Sequence, residues 1–574
     1  MKKLNIKIFE VNRLAFTVAK KEYIICILLY LLMSGNVFLN LYYSEYNMNL
    51  AYKLLNGKVS FNNSVIGIAG FTIGMICFSI LDTIKKFVES KLILKFSYNI
   101  EYNLNEQLSK ISWEYFETHD INLKIHETRT KGLDSMKSIL KNSLYYISII
   151  PLIFIYLYYL FRIYWIFVLI YFFLFLLFNK KAQSLYKILG GLWENAKERS
   201  QKQEYLFNLT GNMVEHQEYK FYRMYHYISN KWDQEFENEY KITSGIYKKT
   251  EILNKLASVL YNIPRILILL ITMYEVALGK HDVGIIIAIN SVLTSITNMI
   301  MQIQENLQDD IVNSYFVRIY NEILGFITSK DRIKVENSEI VFRNITYSYP
   351  QSNVFALKNI NLTIKKGEKI FIVGTNGSGK TTFTNLILSL IQNYEGTLMT
   401  PSLEKISVIT QEFLEYQGTV RDNILLNSKN ISDTEIWEIL KKVGLYDYIY
   451  GLPDKLNTFL GHLENGIQLS KGQWQKIAMA RLIAKKNASI WILDEPTAHL
   501  DPLSEIEVYN LVKNLAGDRT VIFISHRLGF SKDVDRVIVF DKGRIIEEGT
   551  HDALIQNTTS YYSKLYLGQL EWYI

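Results

Sequence analysis

The stretch KIFIVGTNGSGKTTFTNLIL, residues 369–388, decides the fold of the second half of the chain. Ile370–Val373 is a short apolar strand. Gly374, Thr375, Asn376, Gly377, Ser378, Gly379, Lys380 and Thr381 then fit G-x-x-x-x-G-K-[ST], and a helical pattern opens at once with Thr382. Glycines let the backbone turn its N–H groups inward around a phosphate, and the helix N-terminus adds positive dipole. Lys380 can reach the β and γ phosphates, and the Thr381 hydroxyl can hold Mg²⁺. A strand, a glycine-rich turn and a helix in this order predict an α/β nucleotide-binding core.

Outward from this turn, other apolar runs end in chemistry. SIWILDE (489–495) closes on two carboxylates. Asp494 can hold Mg²⁺ through water, and Glu495 can polarise an attacking water as general base. VIFIS (521–525) is followed by His526, which can contact a γ-phosphate from a strand C-terminus. ISVIT (406–410) is followed by Gln411, placed to sense Mg²⁺ and the water. Any one of these could be a strand meeting solvent. After a phosphate loop, the ordered set reads as one site. Between them, IQLSKGQWQK (467–476) looks like a phosphate-binding turn entering a helix.

The order of these pieces resembles the ATP-binding cassette (ABC) family, from about Glu339 to the C-terminus. The resemblance implies that Tyr349 in ITYSYP (345–350) stacks on adenine and that Gly374 to Thr382 cradles the phosphates of ATP. It makes Gln411 the Q-loop residue, which with Thr381 and Asp494 serves Mg²⁺. Leu469, Ser470, Lys471, Gly472 and Gln473 become the signature that closes over ATP on the opposite subunit. Glu495 and His526 become the catalytic pair, and Asp501 in AHLD (498–501) the D-loop residue. Two stretches depart from the family pattern: Ala498-His499 stands where Ser-Ala is common, and Lys471 where glycine is usual. Neither removes the acid, the base or the phosphate loop. The Ser470 hydroxyl and the backbone at Gly472 remain at a helix N-terminus, so LSKGQ reads as a working variant. TQEFLEYQGTVRDNI (410–424) and LENGIQLSKGQWQKIAMARLI (463–483) are similar to exporters of lanthionine-type bacteriocins and related peptides.

The first half of the chain is of another kind. Of 574 residues, 49% are hydrophobic, which excludes a disordered chain, and the net charge of +7 is spread too thinly to suggest nucleic acid. Cys26 and Cys77 both lie in apolar runs, which excludes a disulfide framework and a cysteine zinc site. Apolar runs near 23–43, 65–81, 144–160, 163–178, 256–278 and 283–301 are read as six membrane spans, since about 20 apolar residues cross a bilayer as a helix. Lysine and arginine gather between spans two and three and between spans four and five. Those segments and both termini are therefore expected in the cytoplasm. The expected fold is an α-helical six-span transmembrane domain (23–305) after a short cytoplasmic segment (1–22). A linker (306–337) then leads to an α/β P-loop NTPase cassette (338–574).

Six spans before one cassette resemble an exporter half-transporter, which implies a homodimer in the cell membrane driven by ATP and Mg²⁺. The expected cargo is a peptide, with a lipid or drug exporter, or an ATP-gated sensor that moves nothing, as alternatives. Only about 20 residues precede span one, so removal of a leader peptide is expected to fall to another protein. The tips of the cytoplasmic hairpins, near Trp113–Asp120 and Glu215–Tyr222, are expected to dock on the cassette. Asp82, Arg265 and Glu275 are ionisable residues in or at the edge of spans, and of these Arg265 is the candidate for the substrate path.

Overall fold

The computed structural model describes residues 2–57, 61–116, 119–211, 218–325, 333–334, 339–350, 352–426, 428, 431–496 and 502–573. The chain divides into two compact units. One joins Met1–Ser109 to Leu123–Phe326, and the other joins Lys110–Asn122 to Ile327–Ile574.

The first unit is helical. Its long elements are α1 (Lys2–Val18), α2 (Lys20–Leu55), α3 (Phe61–Leu108), Leu133–Gly211, Tyr225–Ala277 and Gly284–Leu324. Four helices among the described residues are long and apolar enough to cross a membrane: Ile68–Leu108, Ile121–Ile166, Tyr225–Ala277 and Gly284–Leu324. The run read as two spans around Phe161 and Arg162 is one helical stretch broken at Tyr164, where φ is −139° and ψ is 69°. Gly284–Leu324 carries its helix well past Met301 and into the stretch expected as a linker. Tyr156, Leu160, Tyr261, Ile268, Ile289 and Val292 form the buried seam of this unit. Ile73, Ile76, Phe154 and Trp165 stand exposed on its outside, as residues meeting lipid would. Cys26 is buried, whereas Cys77 is exposed.

The second unit is α/β. A six-stranded sheet has the order β12-β11-β4-β10-β9-β6. Its strands are β4 (Lys369–Gly374), β6 (Ile406–Ile409), β9 (Ile490–Asp494), β10 (Thr520–Ile524), β11 (Arg536–Asp541) and β12 (Arg544–Gly549). All neighbours are parallel except β11 and β12. β9 and β10 are buried at every position, which is why they read as unbroken apolar runs. A four-stranded sheet of order β1-β5-β2-β3 lies in the same unit. It is built from Ile333–Lys334, Ile340–Tyr347, Leu357–Ile364 and Glu395–Thr400 in chain order.

The helix that follows the phosphate turn, Lys380–Ile387, is locked by Phe383. That ring stacks on Phe342 at 4.5 Å and meets Phe540 at 5.5 Å, so it joins both sheets. Phe383 is fully buried, and truncation to alanine would cost about 3–5 kcal/mol. Trp474, 1% exposed, anchors the helix Lys471–Ala484 in a second core with Val420, Ile424, Ile436 and Leu440.

Candidate active site

The sheet order brings the predicted residues together. β4, β10 and β9 are consecutive neighbours, and Ile524 is in register with both Ile372 and Asp494. The turn after β4, the pair at the end of β9 and the histidine after β10 thus meet at the carboxyl ends of three adjacent strands. That is where α/β sheets bind ligands. β6 flanks β9 and delivers Gln411, which is exposed, to the same edge.

The phosphate turn has the shape its glycines predict. Gly379 has φ 104°, and a Cβ there would lie 2.6 Å from the carbonyl oxygen of Ala356. Only glycine fits. Lys380 is 7% exposed, and its ammonium donates to the carbonyl oxygens of Gly374 at 2.8 Å and Thr375 at 3.0 Å. Burial pulls its pKa down, against the charges of Glu495 and Asp494. Ser378 is 2% exposed, and its Oγ has no hydrogen-bond partner among the described residues. A buried hydroxyl without a partner, a buried ammonium and a backbone cradle fit a polyphosphate. Thr375, Asn376 and Thr381 are exposed around the rim. Thr382 is buried, and its hydroxyl lies 3.1 Å from that of Tyr349. The Tyr349 ring, half-buried, meets Tyr347 edge-on at 5.1 Å.

The two carboxylates differ. Asp494 is 6% exposed, and burial raises its pKa to about 6, helped by the Glu495 charge and opposed by Lys380. Glu495 has φ 48°, and its N–H donates to Ile524 O at 2.8 Å. This left-handed residue turns the chain out of β9. Its Oε1 lies 3.0 Å from His526 Nε2. Burial and the Lys380 charge lower the His526 pKa, with Glu495 opposing. The arrangement holds two carboxylates, one of them buried, and an imidazole at the ends of adjacent strands.

The signature stands on another helix. Ser470 caps Lys471–Ala484 in a capping box: Gln473 N–H donates to Ser470 Oγ at 3.2 Å, and Ser470 N–H to Gln473 Oε1 at 2.9 Å. Leu469 is buried beneath it. Lys471 is 69% exposed and pairs with Glu415 at 2.8 Å. Further along the helix, Arg481 donates to Leu414 O at 2.6 Å and to Asn423 Oδ1 at 2.7 Å. The signature helix is therefore tied at two levels to the segment after Gln411. Sequence reading missed Glu415 and Arg481, because pairs 56 and 67 residues apart leave no local pattern. Asp501 and the AHLD stretch lie outside the described residues.

The expected tip at Trp113–Asp120 falls in the cassette's unit, except for 117–118, which lie outside the described residues. Ser112 Oγ donates to Leu390 O at 2.9 Å. Glu114, 1% exposed, accepts from Asn393 Nδ2 at 2.9 Å and from the Tyr347 hydroxyl at 3.4 Å. The other tip, Glu215–Tyr222, is described only from 218 on. In the helical unit, Asp82 pairs with Lys85 and Lys86 at 2.9 and 2.7 Å, and Glu275 accepts from the Tyr164 hydroxyl. Arg265 donates to Asn290 Oδ1 at 2.8 Å.

Residues 357–498 match the family described as ABC transporter. The cassette is an ABC transporter domain. Its phosphate turn, signature and Asp-Glu strand all lie inside that match. The chain is 34% identical over 349 residues to the nisin transport ATP-binding protein of Lactococcus lactis subsp. lactis, covering 57% of each chain. It is 28% identical over 553 residues to the subtilin transport ATP-binding protein of Bacillus subtilis, covering 90% of this chain and 88% of that one. Among solved structures, a bacterial Atm1-family ABC exporter with ATP bound shares the fold at a TM-score of 0.81. That match is 19% identical and covers 96% of this chain and 99% of the other. The ABC transporter domain is thus joined to a helical part whose fold is also that of an exporter.

Proposed function

We propose that the protein is an ATP-driven exporter of peptides that works as a homodimer in the cytoplasmic membrane, with six spans and both termini in the cytoplasm. The observation that supports the ATPase half is the gathering of Lys380, Asp494, Glu495 and His526 at the ends of β4, β10 and β9, beside a glycine-rich turn. The peptide half is supported by similarity to proteins named for nisin and subtilin transport.

In this reading Tyr349 stacks on adenine, and Gly374 to Thr382 hold the phosphates, with Lys380 exchanging its carbonyl partners for phosphate oxygens. Thr381, Gln411 and Asp494 would hold Mg²⁺, which supplies charge neutralisation when bound. Glu495 takes a proton from the attacking water, and His526 keeps that carboxylate oriented at 3.0 Å. Leu469 to Gln473, with Asp501, serve the ATP held by the second copy. Ser470 presents its hydroxyl from a helix N-terminus, and Lys471 adds an exposed positive charge beside it. Closure and reopening of the two cassettes reach the membrane through the Trp113–Phe116 helix, whose Glu114 is held by Asn393 and Tyr347.

The test is ATP turnover by the full-length protein in proteoliposomes, challenged with lanthionine and linear peptides, lipids and dyes. Stimulation by peptides supports the proposal. Stimulation by lipid or dye alone assigns the other cargo, and cargo-independent binding without turnover assigns a sensor.

A further inference from the structure

The last helix, Tyr561–Tyr573, reaches the catalytic histidine through a side chain that no motif predicts. Gln569 Oε1 accepts from the backbone N–H of Leu528 at 2.9 Å, and Gln569 Nε2 donates to the backbone carbonyl oxygen of His526. One amide therefore spans the turn from residue 526 to residue 528, filling a donor and an acceptor at once.

The same helix grips this turn a second time. Leu528 O accepts from Ser531 Oγ at 2.5 Å, and that hydroxyl lies 2.6 Å from the Tyr562 hydroxyl. His551 Nδ1 lies 2.7 Å from the Tyr562 hydroxyl on the other side. Tyr562 and Ser531 are both fully buried. Residues 562 and 569 are seven apart, so they share one face of the helix. That face holds Leu528 at its N–H and, through Ser531, at its carbonyl.

The imidazole itself is held more loosely. His526 is 40% exposed, and its side chain pairs with Glu495 at 3.0 Å.

We propose that Gln569 is a positioning residue for ATP hydrolysis: the C-terminal helix clamps the 526–528 turn through this amide and so aims His526 at Glu495. The inference rests on the ATPase reading above. It adds that the chain's last helix governs turnover while nucleotide binding, built on β4 and Tyr349, is independent of it.

The experiment measures phosphate release by the full-length protein in proteoliposomes for Q569A, Q569E, H526A and the double variant H526A/Q569A. Q569E keeps the side-chain volume and the acceptor but loses the donor. The clamp predicts that Q569A and Q569E each lower kcat roughly ten- to a hundredfold, with the ATP KM within about twofold. It also predicts that Q569A adds nothing once His526 is alanine, because both changes remove one effect. A Q569E variant with wild-type kcat would overturn the clamp and leave only packing. So would Q569A lowering kcat by the same factor with and without His526, or raising KM in step with a lower melting temperature. If H526A turned over like the wild type, the histidine's role would fall and this inference with it. If H526A were impaired and Q569E were not, only the inference would fall.

Discussion

Replacing Asp494 with asparagine should stabilise the nucleotide-free protein while ending its turnover. The carboxyl is 6% exposed, and burial, helped by the Glu495 charge and opposed by Lys380, raises its pKa from 3.8 to about 6. The folded-state pKa lies above the unfolded one, so the folded chain holds the proton more tightly. Stability is then lost as pH rises from about 3.8 through about 6, and the whole penalty is present at pH 7.5. At about 1.4 kcal/mol per pH unit, that rise corresponds to about 3 kcal/mol. Asparagine is nearly isosteric and uncharged but buries an amide of its own, so a net gain of roughly 1–3 kcal/mol is expected. In a domain of this size 1 kcal/mol moves Tm by about 2–4 °C. The assay is thermal unfolding of the full-length protein in detergent with EDTA, followed by tryptophan fluorescence, since Trp474 and Trp491 are buried in the cassette. D494N should melt several degrees higher at pH 7.5 and gain about half as much at pH 5. A variant that melted at or below the wild type at pH 7.5, or gained equally at both pH values, would refute the burial penalty assigned to Asp494.

Other outcomes follow from the same geometry. Glu495→Gln should keep ATP binding and lower turnover by about 10²–10⁴, read by phosphate release; normal hydrolysis would remove Glu495 as base. Lys471→Gly should change Tm by less than a few degrees and leave ATP KM and kcat within about twofold, because the Glu415 pair is exposed and such pairs contribute about 0.2–1 kcal/mol. A large fall in kcat would give the lysine a part in closure. Glu114→Ala removes an acceptor from the Asn393 amide and the Tyr347 hydroxyl, at a cost of about 1–3 kcal/mol. Cargo stimulation of ATP turnover should be lost while basal turnover persists, and stimulation surviving intact would count against the docking role.

The candidate site was legible because its parts are local. A phosphate turn is eight consecutive residues, and the Asp-Glu pair and His526 each follow an apolar strand. The parallel order β4-β10-β9 then gathers separate motifs without any further signal. Four long apolar helices were legible from apolar length, but the break in the stretch around Phe161 and Arg162 sits at Tyr164, where no glycine or proline marks it. The helix 284–324 also continues past the apolar run, since helices need no apolar composition to persist once packed. Gln569, Arg481, Glu415 and Glu114 act through a few long-range hydrogen bonds each, and a side chain matched to a distant partner leaves no period in the sequence. Lys471 was legible as an exception, and its partner was not.

Ser112 and Leu390 are 278 residues apart, yet they meet within one compact unit. At roughly 5–20 residues per second of synthesis, Lys110–Asn122 leaves the ribosome about 15 to 55 s before the cassette surface that receives it exists. For that interval Glu114, destined to be 1% exposed, has only water for company. The motor is therefore not a module that can ripen on its own at the end of translation. It closes around a peg laid down early, between two long helical stretches of the sequence, and a chain whose early part goes astray would also fail to complete its enzyme.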